Sequence, residues 1–287
     1  MDHSTCPVCG NLLKLKFKLR FNVYQCANCG LQHSDAQFEH SFESDLDPDA
    51  RDGALKTLRI TNFIHIIARL KAAKNNHLGE GLEIGSGNGW WLDVCAGQGV
   101  KCVGIEPERT YENYHKQHNL NIVYGFYPDV SPKREGGYDF IIFNDVFEHI
   151  PDINELVKNL KNDLADDGIL IINLPMSTGF FYNWAIRLHK MGLSNTLTRM
   201  WQFNFHSPHM NYFNKENLKM LMDHHGFSTA EVFPLQSLDI QSTRDRILAD
   251  KGMSKWKASM MTSILKIMKP IIERSEPDIK AFFFKKK

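Results

Sequence analysis

The spacing of apolar and polar residues changes period along the chain, and each period predicts an element. In "LLKLKFKLRFNVY", apolar and basic residues alternate strictly from Leu13 to Phe21. That two-residue period predicts a strand with Lys14, Lys16, Lys18 and Arg20 on one face. Residues 40–53, "HSFESDLDPDARDG", form an acidic link with little to bury. Apolar residues then recur at three and four, which predicts an amphipathic helix over 54–74. From Leu78 onward short apolar runs alternate with helical segments, as a parallel sheet requires. "GLEIG", "KCVGIEP", "NIVYG", "YDFIIFND", "GILIINLP" and "STAEVFPLQ" read as six strands. "WWLDVCAGQG", "RTYENYHKQH", "INELVKNLKNDLA" and "NKENLKMLMDHHG" read as helices among them, the last stopped by Gly226. The aromatic-rich stretch 176–212 reads as a lid. "WKASMMTSILKIMKPIIERSE" reads as an amphipathic helix that covers the core or a dimer face. "DIKAFFFKKK" reads as a last strand antiparallel to the sixth, its lysines capping an edge.

Composition narrows the classes. The chain has 287 residues, 43% hydrophobic and 23% charged, which suits one or two globular domains. A net charge of +1 gives no global field toward nucleic acid or an anionic membrane. There is no apolar run of spanning length, and "MDHSTCPVCG" lacks the apolar core of a signal peptide. The expected location is cytoplasmic, where thiols stay reduced.

The cysteines therefore call for another role. Cys6, Cys9, Cys26 and Cys29 form C-x2-C-x16-C-x2-C, with Gly10 and Gly30 after the two pairs. That spacing predicts one tetrahedral Zn2+ held by four thiolates, a closed structural site. The ion would supply folding energy that so short a segment cannot draw from a core. The basic strand between the pairs is either a solvated face or a dock for an anion.

The turn "GSGNG" after the first sheet strand narrows the ligand. A dinucleotide fingerprint wants glycine at its first, third and sixth positions, but the sixth from Gly85 is Trp90. Indole cannot pack where that glycine brings helix and strand together. No Gly-Lys-Ser/Thr follows either, so a ligand without phosphates fits better. Its amino-acid part would lie along Gly85 to Gly89. Glu106, at the end of the second sheet strand, is placed to accept hydrogen bonds from two ribose hydroxyls.

Together "LEIGSGNGWWL", "VGIEP", "FNDVFEHIPD" and "GILIINLP" resemble, in order and spacing over about residues 78–235, the motif series of class I S-adenosylmethionine-dependent methyltransferases. "SPHMNYFNKENLKMLMDHHGF" resembles the following segment in the subgroup related to ubiquinone-pathway O-methyltransferases. A leading four-cysteine ribbon is similar to that of bacterial members that look like modifiers of surface sugars or secondary metabolites. The resemblance implies an α/β, Rossmann-like seven-stranded sheet, mostly parallel with the last strand antiparallel, preceded by a zinc ribbon. The implied layout is a ribbon at 1–40, a linker and helix at 41–76, and the methyltransferase domain at 77–287. That domain carries a lid insertion at about 176–212 and a helical insertion at about 240–276.

The same resemblance assigns residues. Glu83, Gly85, Ser86, Gly87 and Gly89 would line the methionine part, and Glu106 the ribose. Phe126 and Tyr127 would stand at the adenine edge, and Asn144 and Asp145 would border the sulfonium. If the acceptor is a hydroxyl, a base is needed, and His149, His209 and His206 are the candidates. His149 would equally serve as a loop pin through a backbone hydrogen bond. Asp145, Glu148 and His149 resemble a carboxylate–imidazole set that holds a divalent cation in some O-methyltransferases, with His209 able to complete it. "NDVF" stands where amino-directed DNA and protein methyltransferases carry a proline-rich aromatic motif. The expected acceptor is a small molecule or glycan in bacterial surface-polysaccharide or secondary-metabolite biosynthesis, methylated on oxygen, with sugar nitrogen and carbon as alternatives. Two alternatives are an RNA methyltransferase gripping phosphates with the ribbon, and a non-catalytic scaffold. Nucleic acid is not the expected partner, and a homodimer is an open option.

Overall fold

Two strands, β1 (Leu13–Lys18) and β2 (Asn22–Cys26), open the fold, and β3 (Gln32–Ser34) follows. The computed structural model describes residues 4–37, 48–202, 207–248 and 252–287. His206 and most of the acidic link lie outside the described residues. The next elements are α1 (Pro48–Ala73), β4 (Glu80–Ile84), α2 (Trp90–Gly97), β5 (Lys101–Glu106), α3 (Glu112–Gln117), β6 (Ile122–Tyr124) and β7 (Tyr138–Asn144). A 3-10 turn (Phe147–His149) leads to α4 (Ile153–Asp163), β8 (Leu164–Pro175), α5 (Phe180–Lys190), α6 (Asn195–Met200) and β9 (Asn211–Tyr212). The chain ends with α7 (Lys215–His224), β10 (Phe227–Leu235), α8 (Ile240–Leu248), α9 (Lys255–Arg274) and β11 (Ile279–Lys286).

Seven strands form one sheet in the order β10-β11-β8-β7-β4-β5-β6. Strands β6, β5, β4, β7 and β8 run parallel, and β11 is antiparallel to both its neighbours. Apolar runs such as Phe140–Phe143 and Ile169–Ile172 are wholly buried because helices cover both faces. Successive residues supply opposite layers. Ile141, Phe143, Leu170 and Ile172 pack with Leu156 and Leu160 of α4 and Leu218 and Leu221 of α7. Phe140, Ile142, Ile169 and Ile171 pack with Phe63, Ile66, Ile67 and Leu70 of α1, whose spacing of three and four makes one apolar stripe.

Two expectations are corrected. β11 lies between β8 and β10, so its lysines do not cap an edge. Ala281 to Phe284 are apolar on both faces, and only an interior strand buries both. Lys286 instead pairs with Asp166 at 3.2 Å, and Lys287 with Asp223 at 2.5 Å, beyond the strand end. In β1 the pairing slips between Leu15 and Phe17, leaving Leu15 exposed and Phe17 buried. A bulge of this kind shifts side chains to the other face. The four basic residues therefore share no single face, and burial holds the Lys16 ammonium below its ordinary range.

The N-terminal segment is fused to the larger body. β9 adds a fourth strand to its sheet, pairing Gln32 with Tyr212 and His33 with Asn211. Cys6, Val8, Cys26 and Leu31 join the core cluster of the main sheet.

Candidate functional site

The turn from β4 to α2 is shaped by three left-handed glycines, Gly85 (φ 77°), Gly87 (φ 49°) and Gly89 (φ 82°). At Gly85 an added Cβ would also meet Val146 Cγ2 at 2.6 Å, so a larger residue is excluded on two counts. Amides of Gly85 and Ser86 donate to the Ile105 carbonyl at 2.9 and 3.1 Å, which anchors the turn to β5. His115 was not anticipated from sequence. It is buried, its Nε2 donates to the Gly87 carbonyl at 2.9 Å, and its Nδ1 meets the Tyr124 hydroxyl at 2.9 Å. The backbone of the turn is thus held at Gly87 by His115, and the open space beside the turn is at Gly87, where an added Cβ would meet nothing within 4 Å.

Two carboxylates flank this cradle. Glu106 accepts from the Gly87 amide at 2.7 Å through Oε2 and from the Glu108 amide at 3.0 Å through Oε1. Both oxygens are fixed while keeping further lone pairs. Glu83 is buried, its Oε1 accepting from Asn144 Nδ2 at 2.9 Å and its Oε2 without a hydrogen-bond partner among the described residues. An unsatisfied buried carboxylate oxygen suits an incoming ammonium.

Burial raises the Glu83 carboxyl from 4.5 to about 8. A raised carboxyl pKa means that the fold favours the proton, so this stability is full at acid pH and is lost as pH rises from about 4.5 to about 8. The slope is at most about 1.4 kcal/mol per pH unit for one proton. Thermal melts of the ligand-free protein should therefore fall across that window, and Glu83→Gln should flatten the fall. An unchanged slope in the variant would remove Glu83 as its source.

At the end of β7, Asn144 Oδ1 accepts from Asn173 Nδ2 at 3.4 Å. Asp145 adopts φ 55° and stands 3.5 Å from Arg59 Nη2. Arg59 belongs to α1, and neither its spacing nor its neighbours in sequence signal this contact. Phe126 is 71% exposed, whereas Tyr127 packs on the core and donates to Asp163 Oδ2 at 3.1 Å. A cavity of about 540 Å³ opens beside Asp145. Its wall includes Arg59, Asn62, Glu148, Tyr182, Arg199 and His209.

Glu148 and His209 of that wall converge with His149, one donor atom from each lying within 4.8 Å of the others. Asp145 is outside this group, unlike the expected set. The rings of His149 and His209 lie 4.6 Å apart, and His209 Nε2 is 3.8 Å from Glu148 Oε1. His149 Nδ1 donates to the Pro208 carbonyl at 3.0 Å. Burial, then the charge of Asp145, hold the Glu148 carboxyl well above the usual carboxylate range. Neither Glu148 oxygen has a hydrogen bond among the described residues.

The four cysteine sulfurs lie within 4.8 Å of one another, with Cys6–Cys29 at 3.5 Å and Cys9–Cys26 at 3.4 Å. Four thiolates about 2.3 Å from a tetrahedral ion stand about 3.8 Å apart, so the cluster fits zinc closely. Gly10 and Gly30, both left-handed, donate their amides to the Cys6 and Cys26 carbonyls at 2.9 and 3.0 Å.

Comparison with known proteins bears on this arrangement. A family model described as a methyltransferase domain matches residues 55–232. The chain is 26% identical over 155 residues to C-methyltransferase NovU of Streptomyces niveus, covering 53% of this chain and 33% of the relative. It is 26% identical over 144 residues to a ubiquinone biosynthesis O-methyltransferase of Rickettsia akari (strain Hartford), covering 48% of this chain and 57% of the relative. The matches thus span about a third and about half of these relatives' lengths. In fold, the chain resembles a SAM-dependent methyltransferase from Archaeoglobus fulgidus (TM-score 0.52, 15% identity, 80% of this chain and 94% of that one). It also resembles the plantazolicin methyltransferase BamL, solved with SAH (TM-score 0.52, 15% identity, 83% of this chain and 88% of that one). With more than half its length matched, the chain belongs to the methyltransferase-domain family as a class I S-adenosylmethionine-dependent methyltransferase, and its four-cysteine cluster fits a zinc ribbon.

Proposed function

We propose that the enzyme methylates an oxygen of a small-molecule or glycan acceptor, in the cytoplasm, within bacterial surface-polysaccharide or secondary-metabolite biosynthesis. The observation that carries this proposal is the cavity beside Asp145, walled in part by Met176, Tyr182, Arg199 and Tyr212 of the stretch expected to be a lid, with His209 and Glu148 also in its wall. S-adenosylmethionine supplies an electrophilic methyl on a sulfonium. The residues present fit that donor. Gly85, Ser86, Gly87 and Gly89 offer bare backbone to the methionine part, and the open oxygen of Glu83 suits its ammonium. Glu106 would take the ribose hydroxyls, Phe126 and Tyr127 the adenine edge, and Asn144 and Asp145 the sulfonium.

The protein's task in such a displacement is alignment, which can supply about 7–11 kcal/mol. His209 would accept the acceptor's hydroxyl proton, with Glu148 Oε1 3.8 Å from its Nε2. His149, tied to the Pro208 carbonyl, would pin the loop. His206 is kept as a further candidate. A second reading has Glu148, His149 and His209 hold a divalent cation, favoured by their convergence within 4.8 Å.

Calorimetric titration with S-adenosylmethionine tests the donor assignment, and no heat together with no protection against melting would defeat it. His209→Asn should lower turnover about 10²-fold, the lower end for a lost base, with donor affinity unchanged. Loss of turnover on chelation, restored by Mg2+ or Mn2+ alone, would favour the cation instead.

A further inference from the structure

Helix α9 carries two apolar faces, of which the core uses only one. Ala258, Thr262 and Ile272 are buried against the body, and Met261 and Leu265 wall the cavity. Trp256, Met260, Ile264, Ile267 and Ile271 are all exposed, Trp256 by 65% and Ile267 by 78%. Their intervals of four, four, three and four residues place them on a single face of the helix. A continuous outward stripe of this kind marks a docking surface.

Charge identifies the occupant. α9 holds five cations, Lys255, Lys257, Lys266, Lys269 and Arg274, against one acid, Glu273, in a chain whose net charge is only +1. Lys269 and Glu273 lie 3.5 Å apart. The other four cations have no acidic partner among the described residues. Of these, Lys257 and Arg274 border the stripe, so two copies packed through it would bring four such cations together, and self-association is opposed by charge. A surface that is apolar beneath and anionic above satisfies both features. No helix among the described residues is long and apolar enough to cross a membrane. A helix with an apolar stripe, basic flanks and an interfacial tryptophan instead lies in the plane of the headgroups.

We propose that α9 docks the enzyme on an anionic membrane surface, its Trp256–Ile271 stripe inserted among the headgroups and its basic residues meeting lipid phosphates. The same helix walls the cavity on its inner side through Met261 and Leu265, so docking places the cavity directly behind α9. The geometry of the stripe stands whether or not the acceptor is a glycan.

Flotation of the full chain with phosphatidylcholine vesicles containing roughly a quarter phosphatidylglycerol tests this, against vesicles of phosphatidylcholine alone. Binding should require the anionic lipid and should be lost at about 1 M salt, where screening reaches down to a few ångströms. Each cation near the surface contributes about fivefold, so Lys257→Glu with Lys266→Glu should lower affinity by more than about tenfold. Trp256→Ser with Ile267→Ser and Ile271→Ser should abolish binding. Both variants change exposed side chains, and they should melt as the parent does and keep its affinity for S-adenosylmethionine. Equal or absent binding to the two vesicle types overturns the proposal. So does a dimer, seen by light scattering, that the triple variant dissolves, because the stripe then belongs to a second copy.

Discussion

Glu106→Ala is expected to weaken S-adenosylmethionine binding by about 10²–10⁴-fold. Each hydrogen bond from a ribose hydroxyl to a carboxylate is worth about 1.5–3 kcal/mol, and the residue would accept two. The carboxylate is held ready by the Gly87 and Glu108 amides, so no ordering cost is added when a diol arrives. The alanine also strips both amides of their partner and loosens the turn that carries the methionine part. Glu106→Gln separates these effects. It keeps one acceptor oxygen and the shape of the side chain, and it should lose only about 10–100-fold, as one charge-assisted bond would give. Calorimetry with S-adenosylmethionine reads both variants, and an unchanged Kd in either would take Glu106 out of the donor site.

What sequence patterns made legible were features with local causes. Apolar runs of strand length marked β4, β5, β7 and β8 because each is buried on both faces by its own residues. Gly85, Gly87 and Gly89 marked the turn because their backbone conformation is disfavoured for other residues. Cysteine spacing marked the four-cysteine cluster because two short knuckles bring their sulfurs to one place. Contacts that depend on distant partners left no such mark. β9 is two residues long and exists as a strand only because β3 lies beside it. Arg59 meets Asp145 across 86 positions, and His115 supports Gly87 from α3. The bulge in β1 was hidden by a regular alternation, since a slip in pairing leaves composition unchanged. β11 was read correctly as antiparallel, but its place between β8 and β10 follows from the whole sheet.

Loss of the metal should be the most damaging change, and it should damage turnover while sparing the donor. Zinc contributes about 10–16 kcal/mol to small four-ligand folds, as much as or more than the whole stability of an ordinary domain. Cys26→Ser, or chelation, should therefore unfold the N-terminal segment. That segment holds the chain at His209 to Asn217. Ser34 Oγ donates to the His209 carbonyl at 2.7 Å, and the Ser34 amide donates to the Met210 carbonyl at 2.9 Å. β3 pairs with β9, and the Cys29 carbonyl accepts from Asn214 and Asn217 at 3.2 and 3.3 Å, at the start of α7. Without these partners the chain at His209 keeps the bonds of the His209 amide to Trp201 and of the Met210 amide to Glu148, and His209 is expected to lose its fixed place beside Glu148. The glycine turn is held instead by Ile105, Glu106 and His115, and none of these belongs to the ribbon. The expected result is about one zinc per chain by metal analysis. The zinc-free protein should melt at a lower temperature and turn over at least about 10²-fold more slowly, as expected when a base is displaced. Its affinity for S-adenosylmethionine should change by less than about tenfold, since no donor contact is lost. Purified protein without zinc, or full turnover after its removal, would contradict the coupling. Equal loss of donor affinity and turnover would mean that the ribbon supports the whole sheet.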